Sequence, residues 1–151
     1  PDASISADVI VGFPGETEED YAATRALTDE LSFDNAFVFR YSPRKDTPAA
    51  TMDGQLSEEL KEDRNHDLLS VVNRHAQAKL QGLVGRTLEV LCTGPSRHNE
   101  TRLAGRTRGN KIAVFAGPAN LAGQLVDIDI TDTAGFTLYA ANPRPATLAA
   151  L

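Results

Sequence analysis

The segment with the clearest chemical potential is a glycine-bearing turn, Gly12-Phe13-Pro14-Gly15, which follows the β-branched run Asp8-Val9-Ile10-Val11. Thr17 and Asp20 have the spacing of a capping box, so a helix should begin directly after the turn. Backbone N–H groups at such a place bind anionic groups, and glycine lets a flat ligand approach the backbone. The turn therefore predicts a ligand site, although an ordinary strand-to-helix turn could have the same residues. The sequence contains neither Gly-x-Gly-x-x-Gly nor a Gly-Lys-Ser/Thr phosphate loop.

The second chemically suggestive feature is a concentration of positive charge in the C-terminal half. Its members are Arg97, His98, Arg102, Arg106, Arg108 and Lys111. On a small β-barrel this charge would lie on one side and bind the phosphates of a nucleic acid, although basic residues also protect exposed strand edges. The aromatic residues of this half are Phe115, Phe136 and Tyr139, and some of them must fill the core. We therefore expect phosphate contacts more than base recognition.

A strand–helix–strand unit should position the glycine turn. Helical spacing predicts a helix from about Thr17 to Leu31, and the aromatic and β-branched run Asn35–Tyr41 predicts a second strand. Such a crossover joins parallel strands, which places the turn beside Tyr41-Ser42-Pro43-Arg44 at one edge. Arg44 and Lys45 are the positive charges of the following loop; either an anionic substrate or solvent alone could account for them.

A long helix capped by Ser57 and ended by Gly82 follows this unit. Its apolar stripe consists of Leu60, Leu68, Val72, Ala76 and Leu80. Its polar residues, expected to form a solvated face, are Asp63, Arg64, Asp67, Arg74 and Lys79.

The pattern changes at Gly82, where short alternating runs separated by glycine-containing turns begin. The runs lie near Thr87–Thr93, Arg102–Thr107, Lys111–Ala116, Gln124–Thr131 and Phe136–Ala140. They predict a five-stranded barrel like an OB fold, with a tight hairpin at Gly109-Asn110. The expected domains are 1–81 and 82–141, followed by a flexible tail at 142–151.

Composition narrows the class of protein. The 151 residues are 41% hydrophobic and 24% charged, which is typical of a globular protein. No leader or membrane-length apolar run is visible, so a cytoplasmic location is expected. The net charge of -6 divides unevenly, because residues 1–81 hold 8 Lys/Arg against 16 Asp/Glu and residues 82–151 hold 7 against 5. The chain begins within a few residues of a strand, so it is expected to be a fragment of a larger protein.

Cysteine and histidine usage limits the metal and redox chemistry. Cys92 is the single cysteine, which excludes an internal disulfide and a multi-cysteine metal site. It lies in an alternating run and is expected in the core. His66, His75 and His98 lack metal-ligand spacing and are expected to be exposed to solvent.

Three segments together carry a family resemblance. Ile10-Val11-Gly12-Phe13-Pro14-Gly15-Glu16-Thr17, Tyr41-Ser42-Pro43-Arg44 and Thr47-Pro48-Ala49-Ala50 resemble the later part of the radical S-adenosylmethionine methylthiotransferases, in the branch that modifies tRNA. Lys45-Asp46 departs from the family pattern, where Pro-Gly is usual, and Gly109 stands where a polar residue is more usual.

The barrel half resembles the TRAM domain that closes these enzymes. The matching segments are Gly94-Pro95-Ser96-Arg97, Gly105-Arg106-Thr107-Arg108 with Asn110-Lys111, Gly123-Gln124-Leu125-Val126 and Gly135-Phe136-Thr137-Leu138. The resemblance therefore implies an α/β plus all-β chain: the C-terminal part of a radical-SAM partial TIM barrel (βαβα), then a small five-stranded OB-like TRAM barrel.

The resemblance also implies site residues and cofactors. Contacts to S-adenosylmethionine are implied for Gly12, Phe13, Pro14, Gly15, Glu16, Tyr41 and Ser42. Contacts to tRNA are implied for Arg44 and for the six basic residues of the barrel half. Two [4Fe-4S] clusters would be ligated outside this chain, which is expected to hold no metal ligand or catalytic residue and to be inactive alone.

The implied reaction adds a methylthio group to N6-isopentenyladenosine next to the anticodon. Its partners would be the tRNA anticodon stem-loop and a reductant for the cluster, with a monomeric protein and no membrane. The sister branch that modifies an aspartate of a ribosomal protein is the main alternative, but it carries acidic residues where this chain has Pro43-Arg44. A non-catalytic RNA-binding module remains a further alternative.

Overall fold

The computed structural model describes residues 3–146. The described chain divides, within a long helix, into two compact units. One consists of Ile5–Ala76, and the other consists of residues 77–146 together with residues 3–4. Within the described range, no helix is long and apolar enough to cross a membrane.

The first unit contains the predicted strand–helix–strand arrangement. Strand β1 (Ser6–Val11) and strand β2 (Asn35–Arg40) are parallel neighbours, and helix α1 (Glu18–Leu31) connects them. Thr17 caps α1 through the predicted capping box: the Asp20 N–H donates to Thr17 Oγ1, and the Thr17 N–H donates to the Asp20 carboxylate. These bonds hold the pKa of Asp20 below its ordinary value. The element boundaries at the glycine turn are therefore set by local sequence.

The two faces of this small sheet differ. Val9, Val11 and Val38 point toward the helices and pack with Tyr21 and Leu68. The opposite face presents three exposed apolar side chains, those of Ile10, Phe37 and Phe39. The rings of Phe37 and Phe39 are stacked, with centroids 6.5 Å apart.

Helix α2 (Glu58–Gln81) corrects two predictions about exposure. Leu68, Val72, Ala76 and Leu80 are buried as the stripe predicts, but Leu60 is exposed. Arg64 was expected on the solvated face, and this is wrong: it is buried, because acidic side chains elsewhere in the unit pair with it.

The histidines also differ from one another. His66 and His98 are exposed as predicted. The prediction is wrong for His75, which is half-buried with its ring nitrogen against the carboxylate of Asp29. The partner lies 46 positions away on α1, so local sequence could not reveal it.

The second unit is a closed five-stranded barrel, as predicted. Its strands are β3 (Thr87–Ser96), β4 (Asn99–Thr107), β5 (Ile112–Phe115), β6 (Leu125–Ala134) and β7 (Thr137–Pro145). They close in the order β3-β4-β5-β7-β6; the β5–β7 pair is parallel and the others are antiparallel. Alternate residues fill the interior, and Cys92 is buried among them as expected.

Four strands run further than their sequence suggested, and two of them are β4, which begins at Asn99, and β6, which ends at Ala134. Strand β3 continues through Gly94-Pro95, where register shifts against β4 absorb the irregular residues. Strand β7 extends to Pro145, so the expectation of a flexible tail is wrong for residues 142–145. The Arg144 guanidinium bonds to the Asp129 carboxylate on β6 and lowers the pKa of that carboxyl. The rest of the expected tail, from residue 147, lies outside the described residues.

Candidate functional site

The glycine turn lies at the end of β1, directly beside the residue that follows β2. The Tyr41 N–H donates to the Val11 carbonyl at 2.8 Å, and the rings of Phe13 and Tyr41 meet edge to face with centroids 5.2 Å apart. The structure thus brings together the two segments that the sequence predicted to share one edge. This edge is the carboxyl end of a parallel strand pair, where α/β proteins collect their ligands.

Gly12 is required at its position by conformation and by space. Its φ is 74°, in the left-handed region, and its N–H donates to Glu16 Oε2 at 2.8 Å. A Cβ at this position would lie 2.2 Å from Cγ of Lys61. Gly15 also has a positive φ of 83° but faces open space, and its N–H donates to the Gly54 carbonyl. The aliphatic part of the Lys61 side chain therefore occupies the space that a side chain at position 12 would need.

A buried ion pair supports the turn from α2. Arg64 Nη1 donates to Glu16 Oε2 at 2.5 Å, and Nη2 donates to Glu18 Oε2 at 3.0 Å. The side chains of Arg64 and Glu16 are 5% and 11% exposed. Burial alone would lower the pKa of Arg64, but the bonds to Glu16 and Glu18 raise it above its ordinary value. Glu16 therefore links the Gly12 amide to α2, and its carboxylate is occupied within the protein.

Lys61 provides a second connection from α2. Its side chain is buried, and Nζ donates to the Tyr41 carbonyl at 3.3 Å and to the Glu58 carboxylate. The bond from Lys61 lowers the pKa of Glu58. Lys61 thus contacts both sides of the candidate site, the Gly12 turn and the residue after β2. Sequence reasoning missed Lys61 and misplaced Arg64, because no local pattern distinguishes them from the exposed polar residues of α2.

Two polar atoms at this site have no hydrogen-bond partner among the described residues. They are the Tyr41 hydroxyl and Nε of Arg64, both buried. An unsatisfied buried polar group costs roughly 1–3 kcal/mol, so an acceptor on a ligand beside Tyr41 would stabilise the site. Ser42 and Arg44 are exposed beyond Tyr41. The edge therefore offers an aromatic surface, a glycine backbone and one unused hydroxyl.

No metal site is visible in this part of the molecule. Residues 3–146 contain no group of three or more His, Cys, Asp or Glu side chains placed to hold a metal ion.

The basic residues of the barrel form a line along one strand. Arg97 and His98 lie in the turn between β3 and β4. The outward-facing residues Arg102 and Arg106 lie on β4, and Arg108 and Lys111 follow in the turn to β5. From Arg102 to Arg108 the strand rise of about 3.4 Å per residue separates the Cα atoms by roughly 20 Å. The six basic residues thus follow β4 from one end of the barrel to the other.

These basic residues differ in their partners. Arg108 Nε pairs with Glu89 Oε1 at 2.7 Å, and Arg106 Nη1 donates to the Asn110 carbonyl at 3.0 Å. Within residues 3–146 neither Arg97 nor Arg102 makes an ion pair. The end of the barrel with the β3–β4 turn therefore holds the arginines best placed for an outside anion.

The barrel residues are similar to a known domain family. A family model described as the TRAM domain matches residues 81–141. We refer to residues 81–141, which this model matches, as the TRAM domain. This domain contains all six basic residues and none of the residues around Gly12.

Relatives of known name match both the TRAM domain and the preceding unit. The enzyme named tRNA-2-methylthio-N(6)-dimethylallyladenosine synthase of Akkermansia muciniphila is 55% identical over 139 residues, covering 92% of this chain and 30% of the relative. The enzyme of the same name from Moorella thermoacetica is 47% identical over 131 residues, covering 87% and 30%. That of Clostridium perfringens strain 13 is 43% identical over 138 residues, covering 91% and 31%.

These matches confirm the resemblance that the sequence segments carried. The chain spans about 30% of the length of the curated relatives it matches.

Proposed function

We propose that this chain is part of a tRNA methylthiotransferase that adds a methylthio group to N6-isopentenyladenosine next to the anticodon. The observation that carries the proposal is the 55% identity over 139 residues to an enzyme named for that product, because it extends across both units. In this proposal the first unit supplies part of an S-adenosylmethionine site and the TRAM domain binds the tRNA. The chain alone is inactive, and the full-length enzyme is a cytoplasmic monomer that requires a reductant.

The first unit is proposed as the last βαβα segment of a radical-SAM partial barrel. Its parallel strands and the exposed apolar face with Ile10, Phe37 and Phe39 support this, because the inner face of a barrel is covered by further strands. The two [4Fe-4S] clusters would be ligated outside this chain.

S-Adenosylmethionine fits the candidate site by the chemistry of its residues. The proposed contacts are Gly12, Phe13, Pro14, Gly15, Tyr41 and Ser42, and Glu16 is proposed as a positioning residue of the same site. When bound, S-adenosylmethionine supplies the radical precursor for the reaction. Phe13 offers an apolar surface, Gly12 and Gly15 allow close approach to the backbone, and the Tyr41 hydroxyl has an unused donor. Glu16 acts from behind the turn, since its carboxylate already holds the Gly12 amide and Arg64.

The TRAM domain is proposed to bind the tRNA anticodon stem-loop through phosphate contacts. The proposed contacts are Arg97, His98, Arg102, Arg106, Arg108 and Lys111, with Arg44 from the first unit. A line of cations along β4 suits a backbone that extends over several phosphates. The names of the relatives favour tRNA over the ribosomal-protein substrate of the sister branch and over a non-catalytic module.

The RNA assignment predicts a measurable change in salt dependence. Charge reversal at Arg97 and Arg102 together is expected to weaken binding of an anticodon stem-loop RNA at least tenfold in 0.1 M salt. The slope of log K against log salt should also become shallower by about 1.4 to 1.8, since each lost phosphate contact removes about 0.7 to 0.9. Fluorescence anisotropy of labelled RNA between 50 and 200 mM salt measures both quantities.

A matched control carries the same change of charge elsewhere. Arg40→Glu with Arg74→Glu alters two exposed arginines of the first unit, which pair with Glu62 and Asp29. This variant should keep a salt slope close to that of the unmodified chain. Equal losses in the two double variants would contradict the assignment of the RNA face.

A further inference from the structure

We infer that one end of the TRAM domain binds an unpaired nucleotide, with the Phe136 ring stacking on its base and Arg108 contacting its phosphate. The inference rests on the proposed RNA-binding function and adds a base contact to it. Phe136 lies between β6 and β7, directly after Gly135, and it is 51% exposed. Phe115 is fully buried and Tyr139 is half-buried, so Phe136 is the barrel aromatic that presents its ring to solvent within the described residues.

The strand register places this ring near positive charge. Strands β5 and β7 are parallel, with Ile112 opposite Thr137, so Phe136 and Lys111 lie just before paired residues at the same end of the barrel. Arg108 lies in the same β4–β5 turn, and β4 is the next strand beyond β5. Strands are spaced about 4.8 Å apart, so the backbones of β4 and β7 are separated by about 10 Å. An arginine side chain and one nucleotide can together cover that distance.

Arg108 can contact a phosphate while it keeps its present partner. Its side chain is 80% exposed, and its ion pair with Glu89 is made through Nε. The Glu89 side chain is only 16% exposed, so we expect this pair to stay in place. The pair does not use the Nη atoms of Arg108, and a guanidinium can bind phosphate oxygens through those atoms.

The chemistry of this end favours an unpaired nucleotide over duplex RNA. A base in a duplex is stacked on both faces and cannot lie on a protein ring, whereas a loop base can. The β4–β5 turn at the same end of the barrel carries Arg108, Asn110 and Lys111, and such polar residues do not form the broad apolar patch that protein partners bury.

The absence of tryptophan from this chain allows a direct test. Phe136→Trp places a single tryptophan in the 151-residue chain, and its fluorescence is followed with a stem-loop RNA and with a blunt duplex of equal length. Anisotropy of labelled RNA reports binding in the same samples. We expect quenching by the stem-loop and none by the duplex. Phe136→Ala should lose about 5- to 150-fold in stem-loop affinity, which corresponds to the usual contribution of one stacked base.

The control variant is Leu27→Trp, at an exposed apolar position on α1 in the first unit. Its fluorescence should not respond to either RNA. Binding by anisotropy without quenching at position 136, or equal quenching by stem-loop and duplex, would overturn the stacking site and leave RNA binding intact. Absence of binding to any RNA would overturn the proposed function itself, and the stacking site with it.

Discussion

Replacement of Gly12 by alanine is expected to lower the free energy of unfolding of the first unit by about 2–5 kcal/mol. A left-handed φ of 74° costs an alanine about 1–2 kcal/mol, and the new Cβ would lie 2.2 Å from the buried stem of Lys61. Overpacking of that kind adds typically 1–3 kcal/mol, because Lys61 cannot move without losing its bond to the Tyr41 carbonyl. Urea unfolding followed by circular dichroism at the helix band measures the loss.

The variant Gly15→Ala separates the cost of the left-handed backbone from the cost of overpacking against Lys61. Gly15 has nearly the same φ, 83°, but a Cβ there would meet nothing within 4 Å. This variant should therefore lose only the conformational cost of about 1–2 kcal/mol. Equal losses at positions 12 and 15 would show that Lys61 does not define the shape of the turn.

Replacement of Arg64 by methionine is expected to cost about 3–5 kcal/mol of stability. The substitution removes the partner of a Glu16 carboxylate that is only 11% exposed, and an unpaired buried charge is strongly destabilising. In a full-length enzyme the same variant should weaken S-adenosylmethionine binding, since Glu16 holds the Gly12 amide. Urea unfolding of the chain and equilibrium dialysis with the cofactor test the two effects separately.

Two further variants test whether the loss of stability at Arg64 comes from its buried ion pair with Glu16. Arg74→Met removes an arginine of the same helix whose side chain is 58% exposed, and its ion pair with Asp29 should contribute less than about 1 kcal/mol. The double variant Glu16→Gln with Arg64→Met should recover part of the stability lost in Arg64→Met. The glutamine side-chain oxygen can still accept the hydrogen bond from the Gly12 N–H, and the side chain carries no charge that needs a partner. A loss at Arg64 no larger than that at Arg74 would mean that the buried pair does not stabilise the turn.

The elements of this protein were predictable where short-range patterns determine them. The capping box at Thr17 and Asp20 begins α1, and the alternation of strands such as β6 separates the barrel core from its surface. Five alternating runs were therefore enough to predict a five-stranded barrel. The end of β7 was missed because Arg144 is held by Asp129 from another strand.

The side chains that hold the Gly12 turn in place do so through long-range contacts, which the sequence does not reveal. Glu16 and Arg64 are 48 positions apart, and helical periodicity assigns Arg64 to the polar face without indicating a partner. The adjacency of the Gly12 turn and Tyr41 was predictable, since it follows from a parallel crossover. The distribution of the basic residues along the barrel was not, because the number of residues between them does not show that β4 spans the barrel and separates the turns before and after it.

The proposed function is tested most directly by the nucleosides of tRNA from cells that lack their own methylthiotransferase. The cells would express the Akkermansia muciniphila relative with its aligned segment replaced by this chain, with which it shares 55% identity. We expect mass spectrometry of the digested tRNA to detect 2-methylthio-N6-isopentenyladenosine. A folded, cluster-containing chimera that left only N6-isopentenyladenosine would contradict it.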